Sequence, residues 1–144
     1  DTSDGKFRPG NLLFYEDPDY GFVLNALVKV PDAETHIHDH GPSWTLYGVI
    51  EGGERIGRYC RTDGKAAGEN PAAISLVDEH DVVPGQIDAV PPWEIHQECN
   101  GPHRTIGFIV RSQRSGTFTQ HHYDMATGAV DAYGGPRQIP YTLA

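Results

Sequence analysis

Residues 21–30 read GFVLNALVKV, an apolar run dense in branched side chains that stops at Pro31, and such a run suits a strand. Residues 34–40 carry a histidine at every second position, 36, 38 and 40, and predict a second strand. Residues 45–50, TLYGVI, predict a third, ending at Glu51-Gly52-Gly53. That glycine pair predicts a tight hairpin with residues 54–61 as its returning arm. Residues 62–71 read as a loop. Residues 72–76 and 81–83 are short strand candidates, and VPGQIDAVPP places turns at Pro84-Gly85 and Pro91-Pro92. Late strands are expected at 94–97 and 104–111, and a last one at 117–126. Residues 1–20, polar around Leu12-Leu13-Phe14-Tyr15, form an N-terminal arm or strand, and 127–144 form a Gly/Pro-rich tail. No stretch predicts a helix longer than two turns, and there is no internal repeat. Eight or more short strands separated by turns predict an all-β sandwich or barrel.

With 144 residues and no break in composition, the chain is expected to form one domain, 1–144, around one core. No apolar run approaches the length of a membrane span. A net charge of −9 argues against nucleic acid or an anionic membrane as partner, since both require basic clusters. Cys60 and Cys99 form no CxxC pair and are read as two buried free thiols of a reducing, cytoplasmic environment.

The candidate chemistry lies in THIHDHGPSW, where His36, His38 and His40 occupy alternate positions. On a strand these side chains share one face, and two imidazoles two residues apart can share a metal ion. A third ligand must come from elsewhere in the chain. Imidazole suits iron, zinc, copper and nickel, so ligand type alone does not fix the metal. His121 and His122 are adjacent and point to opposite faces of a strand, so they cannot chelate together. With His80 and His103 they are read as solvated surface.

In GQIDAVPPWEIHQECN the spacing from Gly85 through Pro91-Pro92-Trp93 and His96 to Asn100 resembles the second cupin motif, with Trp93 where that motif has its middle glycine. The first cupin motif is His-x-His, then glutamate, then glycine. Counted from His38 and His40, its four-residue spacing lands on Thr45 and its glycine on Gly52; counted from His36 and His38 it reaches Ser43 and Ile50. The resemblance therefore implies a double-stranded β-helix barrel with His38, His40 and His96 as metal ligands. It leaves His36 in a supporting position or at the entrance.

Thr45 stands where common cupins carry a glutamate ligand. Three histidines without a carboxylate, together with IHDHGPSWTLYGVIEGG, resemble the thiol dioxygenase branch, the cysteine and mercaptopropionate dioxygenases. That resemblance implies Fe(II) as cofactor, with Zn, Ni or Mn as the other candidates, and O2 and a small chelating substrate as partners. A homodimer is a family-level expectation. The branch's Ser-x-His-x-Tyr run is not matched, because residues 107–111 read GFIVR. Alternation instead offers Arg111 as an anion anchor, and Thr45 and Tyr47, which share parity, as substrate-contacting hydroxyls on the cavity wall; Trp44 or Trp93 is read as pocket wall or barrel-edge packing. Three alternatives remain open: a diketone-cleaving dioxygenase, a non-redox isomerase or lyase using Zn or Mn, and a non-catalytic binding cupin.

Overall fold

The structure, a computed structural model, describes residues 10–142. The chain forms β1 (Gly10–Glu16), β2 (Val23–Lys29), β3 (Ile37–His38), β4 (Thr45–Glu51), β5 (Glu54–Arg61), β6 (Ile74–Val82), β7 (Ile87–Val90), β8 (Ile95–Asn100), β9 (Thr105–Arg111), β10 (Gln120–Tyr123), β11 (Val130–Tyr133) and β12 (Ile139–Pro140). No helix occurs among the described residues, and none is long and apolar enough to cross a membrane. The strands make two six-stranded sheets, ordered β12-β1-β2-β9-β4-β7 and β11-β10-β3-β8-β5-β6. The expected all-β architecture is thus present, antiparallel throughout except where β12 runs parallel to β1.

Four expectations about elements need correction. The Gly52-Gly53 turn does not make a hairpin, since β4 belongs to the first sheet and β5 to the second. Gly52 has φ +83°, and a Cβ there would collide with Arg104 O and the Thr105 side chain. The Gly53 amide donates to Thr105 Oγ1 at 3.1 Å. The corner is therefore bound to β9 and turns the chain across the barrel. The two short strands expected at 72–76 and 81–83 are one strand, β6; it lies on a sheet edge and is largely exposed, so it shows little apolar signal. The stretch between the two turns of VPGQIDAVPP is itself a strand, β7. The tail at 127–144 contains β11 and β12. Of the expected N-terminal arm, residues 10–16 are strand β1, while 1–9 lie outside the described residues. The two cysteines are free as expected, but not buried: Cys60 is exposed and Cys99 half-buried.

Strand parity decides what faces the barrel interior. Tyr47, Val49, Ile56, Val82 and Ile109 form the inner core, with Leu27 against it. A second apolar cluster, Ala72, Ile95, Tyr123 and Val130, lies on the outer side of the second sheet with Ile37, Tyr59 and Ile74 packed around it. The loop at 62–73 helps to roof that side. It is stiffened by Arg61, which donates to Asp63 and to the carbonyls of Ala66, Glu69 and Pro71.

Among the described residues, the outer side of the first sheet has no such roof. Across β1, β2, β9, β4 and β7 one ladder row reads Leu12, Ala26, Phe108, Gly48 and Ile87. The next reads Tyr15, Leu24, Val110, Leu46 and Ala89. Neither row contains a charge.

Candidate metal centre

β3 is the short central strand of the second sheet, and His38 on it pairs directly with His96 of β8. His40 follows two residues later, at the start of the turn into β4. The three imidazoles converge: ring centroids lie 5.1 Å apart for His38 and His40, 4.4 Å for His38 and His96, and 4.6 Å for His40 and His96. One ring nitrogen from each falls within 4.8 Å of the others. Among the described residues no other trio of histidine, cysteine or carboxylate side chains converges in this way.

Each imidazole is oriented from behind through Nδ1. His38 Nδ1 contacts the His36 carbonyl at 2.8 Å, His96 Nδ1 the Glu94 carbonyl at 3.1 Å, and His40 Nδ1 the Thr45 hydroxyl at 3.2 Å. Two of these partners are backbone oxygens, which can only accept, so they fix the Nδ1–H tautomer and leave Nε2 with a lone pair. The His38 and His40 Nε2 atoms are 3.2 Å apart. Nitrogens bonded at about 2.1 Å to one ion lie about 3.0–3.4 Å apart, according to coordination geometry. His96 Nε2 is buried and has no hydrogen-bond partner. Such an orphaned atom is costly unless something binds it. Burial holds all three rings below the usual histidine pKa, His96 down to about 3. All three are therefore neutral at physiological pH, the state in which imidazole binds a metal. Donor type, convergence and the orphaned nitrogen together fit a metal ion.

The residue between the first two histidines holds them in place. Asp39 is fully buried and faces away from the centre. Its Oδ1 accepts from the Gly41 and His121 amides at 2.8 and 3.1 Å, and its Oδ2 from His121 Nδ1 at 2.9 Å and the Tyr123 hydroxyl at 2.7 Å. These bonds tie β3 and its following turn to β10. Trp93, in the position of the motif glycine, adopts φ +66°, a region that glycine enters easily and other residues rarely. Its amide donates to Gly41 O at 2.8 Å, so the strained turn braces the His40 turn.

The histidines open onto a cavity of about 610 Å³ between the sheets. Arg111 is directly opposite Thr45 in the β4–β9 ladder. It lines the cavity while only 5% exposed. Its Nη1 donates to Ser115 Oγ at 2.7 Å, but its Nε has no partner. Gln120 is fully buried on the cavity wall; its Oε1 accepts from the Tyr133 hydroxyl at 3.1 Å and its Nε2 is unpartnered. At the deep side, Lys29 lies 2.6 Å from Glu54 and 3.5 Å from Glu98, with its ammonium 5.4 Å from the centre of the Tyr47 ring. Burial alone would raise the Glu98 carboxyl pKa; the Lys29 ammonium first, with Arg111 and the neighbouring imidazoles, overrides this and holds it below the usual carboxylate range.

The residues expected from sequence distribute as follows. His38, His40 and His96 come together. His36 stands outside, with its carbonyl on His38 and its ring stacked on His122 at 4.6 Å. Thr45 bonds His40, and Tyr47 is at once core and cavity wall. Trp44 and Trp93 do not wall the cavity; both are substantially exposed elsewhere. His122 is not solvated surface, because it lines the cavity between His36 and Tyr133, its ring 3.8 Å from that of Tyr133. His121 is bound to Asp39, and His80 bridges Asp78 and Asp88 at 3.0 Å each. Lys29, Glu98, Gln120 and Tyr133 were not anticipated. Strand parity could have found Glu98, two residues beyond His96; the other three required knowing which strands meet.

No protein-family profile matches this sequence, and no curated protein matches it. Solved structures do match. A DMSP lyase from Ruegeria pomeroyi aligns over 83% of this chain and 53% of its own, with TM-score 0.56 and 9% identity. Oxalate oxidase in complex with glycolate aligns over 74% and 50%, with TM-score 0.54 and 15% identity. A sugar phosphate isomerase of the cupin superfamily from Silicibacter pomeroyi aligns over 78% and 67%, with TM-score 0.53 and 21% identity. This chain thus spans between half and two thirds of the length of these proteins. Likeness at such identities concerns architecture alone, and the architecture is the cupin fold, a double-stranded β-helix carrying a three-histidine cluster in its cavity.

Proposed function

We propose that His38, His40 and His96 hold Fe(II), and that the protein is an O2-dependent dioxygenase acting on a small chelating acid such as a thiol acid or a dicarbonyl acid. One observation carries this reading: three neutral, Nδ1-anchored imidazoles with Thr45 in place of a ligand carboxylate, on the wall of a cavity holding an unpartnered buried arginine nitrogen. Bound Fe(II) would supply adjacent open positions for substrate and O2 and would favour the deprotonated form of the substrate donor. The chain's own residues do the rest. With no ligand carboxylate, the negative charge is left for the substrate to bring. Arg111 Nε–H and Gln120 Nε2–H offer donors to a substrate carboxylate. Leu27, Val90 and Ile109 give the cavity apolar walls that limit water.

The test begins with metal analysis of freshly purified protein and anaerobic Fe(II) loading. Oxygen uptake is then measured with cysteine, cysteamine, 3-mercaptopropionate and acetylacetone. Uptake that requires both Fe(II) and one of these substrates is expected; its absence with every thiol and diketone rules the reading out.

A second reading, a non-redox lyase or isomerase using Zn or Mn, is favoured by Glu98. Its carboxylate reaches the cavity two residues from His96, with Lys29 as its ion partner, and such chemistry needs a group that can accept a substrate proton. The similar folds include a lyase and an isomerase. Turnover by Zn- or Mn-loaded protein without oxygen consumption would select it.

A further inference from the structure

Among the described residues, Arg55, Arg58, Arg61, Arg104 and Arg114 each sit on an aspartate or glutamate. Arg111 and Arg137 have no carboxylate within ion-pair distance, in a chain of net charge −9, and both line the same cavity. The cavity's own carboxylates do not occupy them. Glu98 is paired with Lys29 and Asp88 with Arg58, and the exposed Glu34 pairs with neither arginine. Resting on the dioxygenase reading, in which Arg111 and Gln120 take one substrate carboxylate, we propose that Arg137 takes a second one at the cavity mouth, so that the substrate is a small dicarboxylate.

The segment between β11 and β12 brings Arg137 to the Arg111 end of the cavity. At the end of β11 the Tyr133 hydroxyl donates to Gln120 Oε1 at 3.1 Å, which fixes the amide with its Nε2 unpartnered. Gly135 follows at φ +85°, and a Cβ there would collide with Gln120 Nε2 and lie 3.4 Å from the Ser115 Cβ. Ser115 is itself the acceptor of Arg111 Nη1 at 2.7 Å. Gly135 thus passes against the Arg111–Gln120 corner. Arg137, two residues on, starts within about 7 Å of Gly135, because extended chain spans at most about 3.6 Å per residue. The two guanidinium groups differ in setting. Arg111 is 5% exposed and its Nε is unpartnered, a buried donor that is costly to leave unmet. Arg137 is exposed, so water serves it until a ligand arrives. A monoacid satisfies Arg111 and leaves Arg137 in water, whereas a diacid uses both, each guanidinium presenting its paired N–H groups to a carboxylate. The cavity of about 610 Å³ has the size of a small-ligand site, and its apolar walls suit the carbon chain between two acid groups.

Calorimetric titration of the full chain as purified, under argon, tests this. Succinate, glutarate and adipate are each compared with the monocarboxylate of equal carbon number, butyrate, pentanoate and hexanoate. At least one dicarboxylate is expected to bind about tenfold or more tighter than its matched monoacid. Arg137→Ala should abolish that margin and leave monoacid affinity within about twofold of the parent, whereas Arg111→Gln should weaken both members of the pair. Arg114→Ala removes an exposed arginine outside the cavity and is expected to change neither. A margin absent at every chain length, or one that survives Arg137→Ala because both carboxylates chelate the metal, overturns the proposal. Binding is read without O2, so the two readings fail separately. Dicarboxylate binding with no oxygen uptake keeps the role of Arg137 and sinks the dioxygenase, and oxygen uptake with a thiol monoacid but no dicarboxylate margin does the reverse.

Discussion

His36, His38 and His40 look equivalent in sequence and do three different things. His38 and His40 turn Nε2 toward His96, while His36 offers its backbone carbonyl to His38. Metal titration should therefore separate them: His96→Ala is expected to lower affinity by at least about a hundredfold, whereas His36→Ala, which keeps the carbonyl, should stay within a few-fold of the parent. Thr45→Val removes the hydroxyl that meets His40 Nδ1 and is expected to cost about tenfold in affinity. The same histidines set a pH dependence in the metal-free protein. Their folded pKa values lie below the free value of 6.5 because burial disfavours the charged ring. Below pH 6.5 the unfolded chain binds protons that the folded chain refuses, so stability falls with pH until the folded rings protonate, for His96 near pH 3. Each ring can contribute a slope of up to about 1.4 kcal/mol per pH unit. Urea unfolding of metal-free protein at pH 7.5, 6.0 and 5.0 should show this decline. The convergence of His38, His40 and His96 was legible from motif spacing. The Nδ1 partners were not, because two are main-chain carbonyls and carry no side-chain identity.

At the scale of elements, the apolar runs of β2, β4 and β9 announced themselves because both faces are covered or apolar. β6 and β7 did not. The first is an exposed edge strand, and the second has four residues between two proline turns. The expected hairpin at Gly52-Gly53 failed for a physical reason: the glycines turn a corner against β9. β3 is only two residues long, so its place depends on the Asp39 bonds to β10. Asp39→Asn keeps the size but gives up charge-assisted acceptance from His121 and Tyr123. It is expected to destabilise the fold by about 2–4 kcal/mol and to weaken metal binding with it, both read from unfolding curves with and without metal. On β9, a methyl group at Gly107 would run into the Tyr47 ring. Gly107→Ala is therefore expected to cost about 1–3 kcal/mol while leaving the histidine contacts intact, so metal stoichiometry should hold as the unfolding midpoint drops.

For the molecule as a whole, turn spacing and strand count were enough to predict an all-β sandwich or barrel, and the two histidine motifs narrowed this by resemblance to a double-stranded β-helix, whereas the division into two sheets depends on pairings that no local pattern encodes. The same non-local pairing has a kinetic consequence. His38 and His96 are brought together only by the β3–β8 pairing, and β8 must already lie beside β5 for that short strand to find its place. A chain still collapsing has no assembled trio to offer. An ion that binds the finished trio thus arrives after the slow, loop-closing steps. Its stabilisation falls on the escape from the native state. Metal should leave the refolding rate nearly untouched and lengthen the lifetime of the folded protein, acting as a latch on a door already shut.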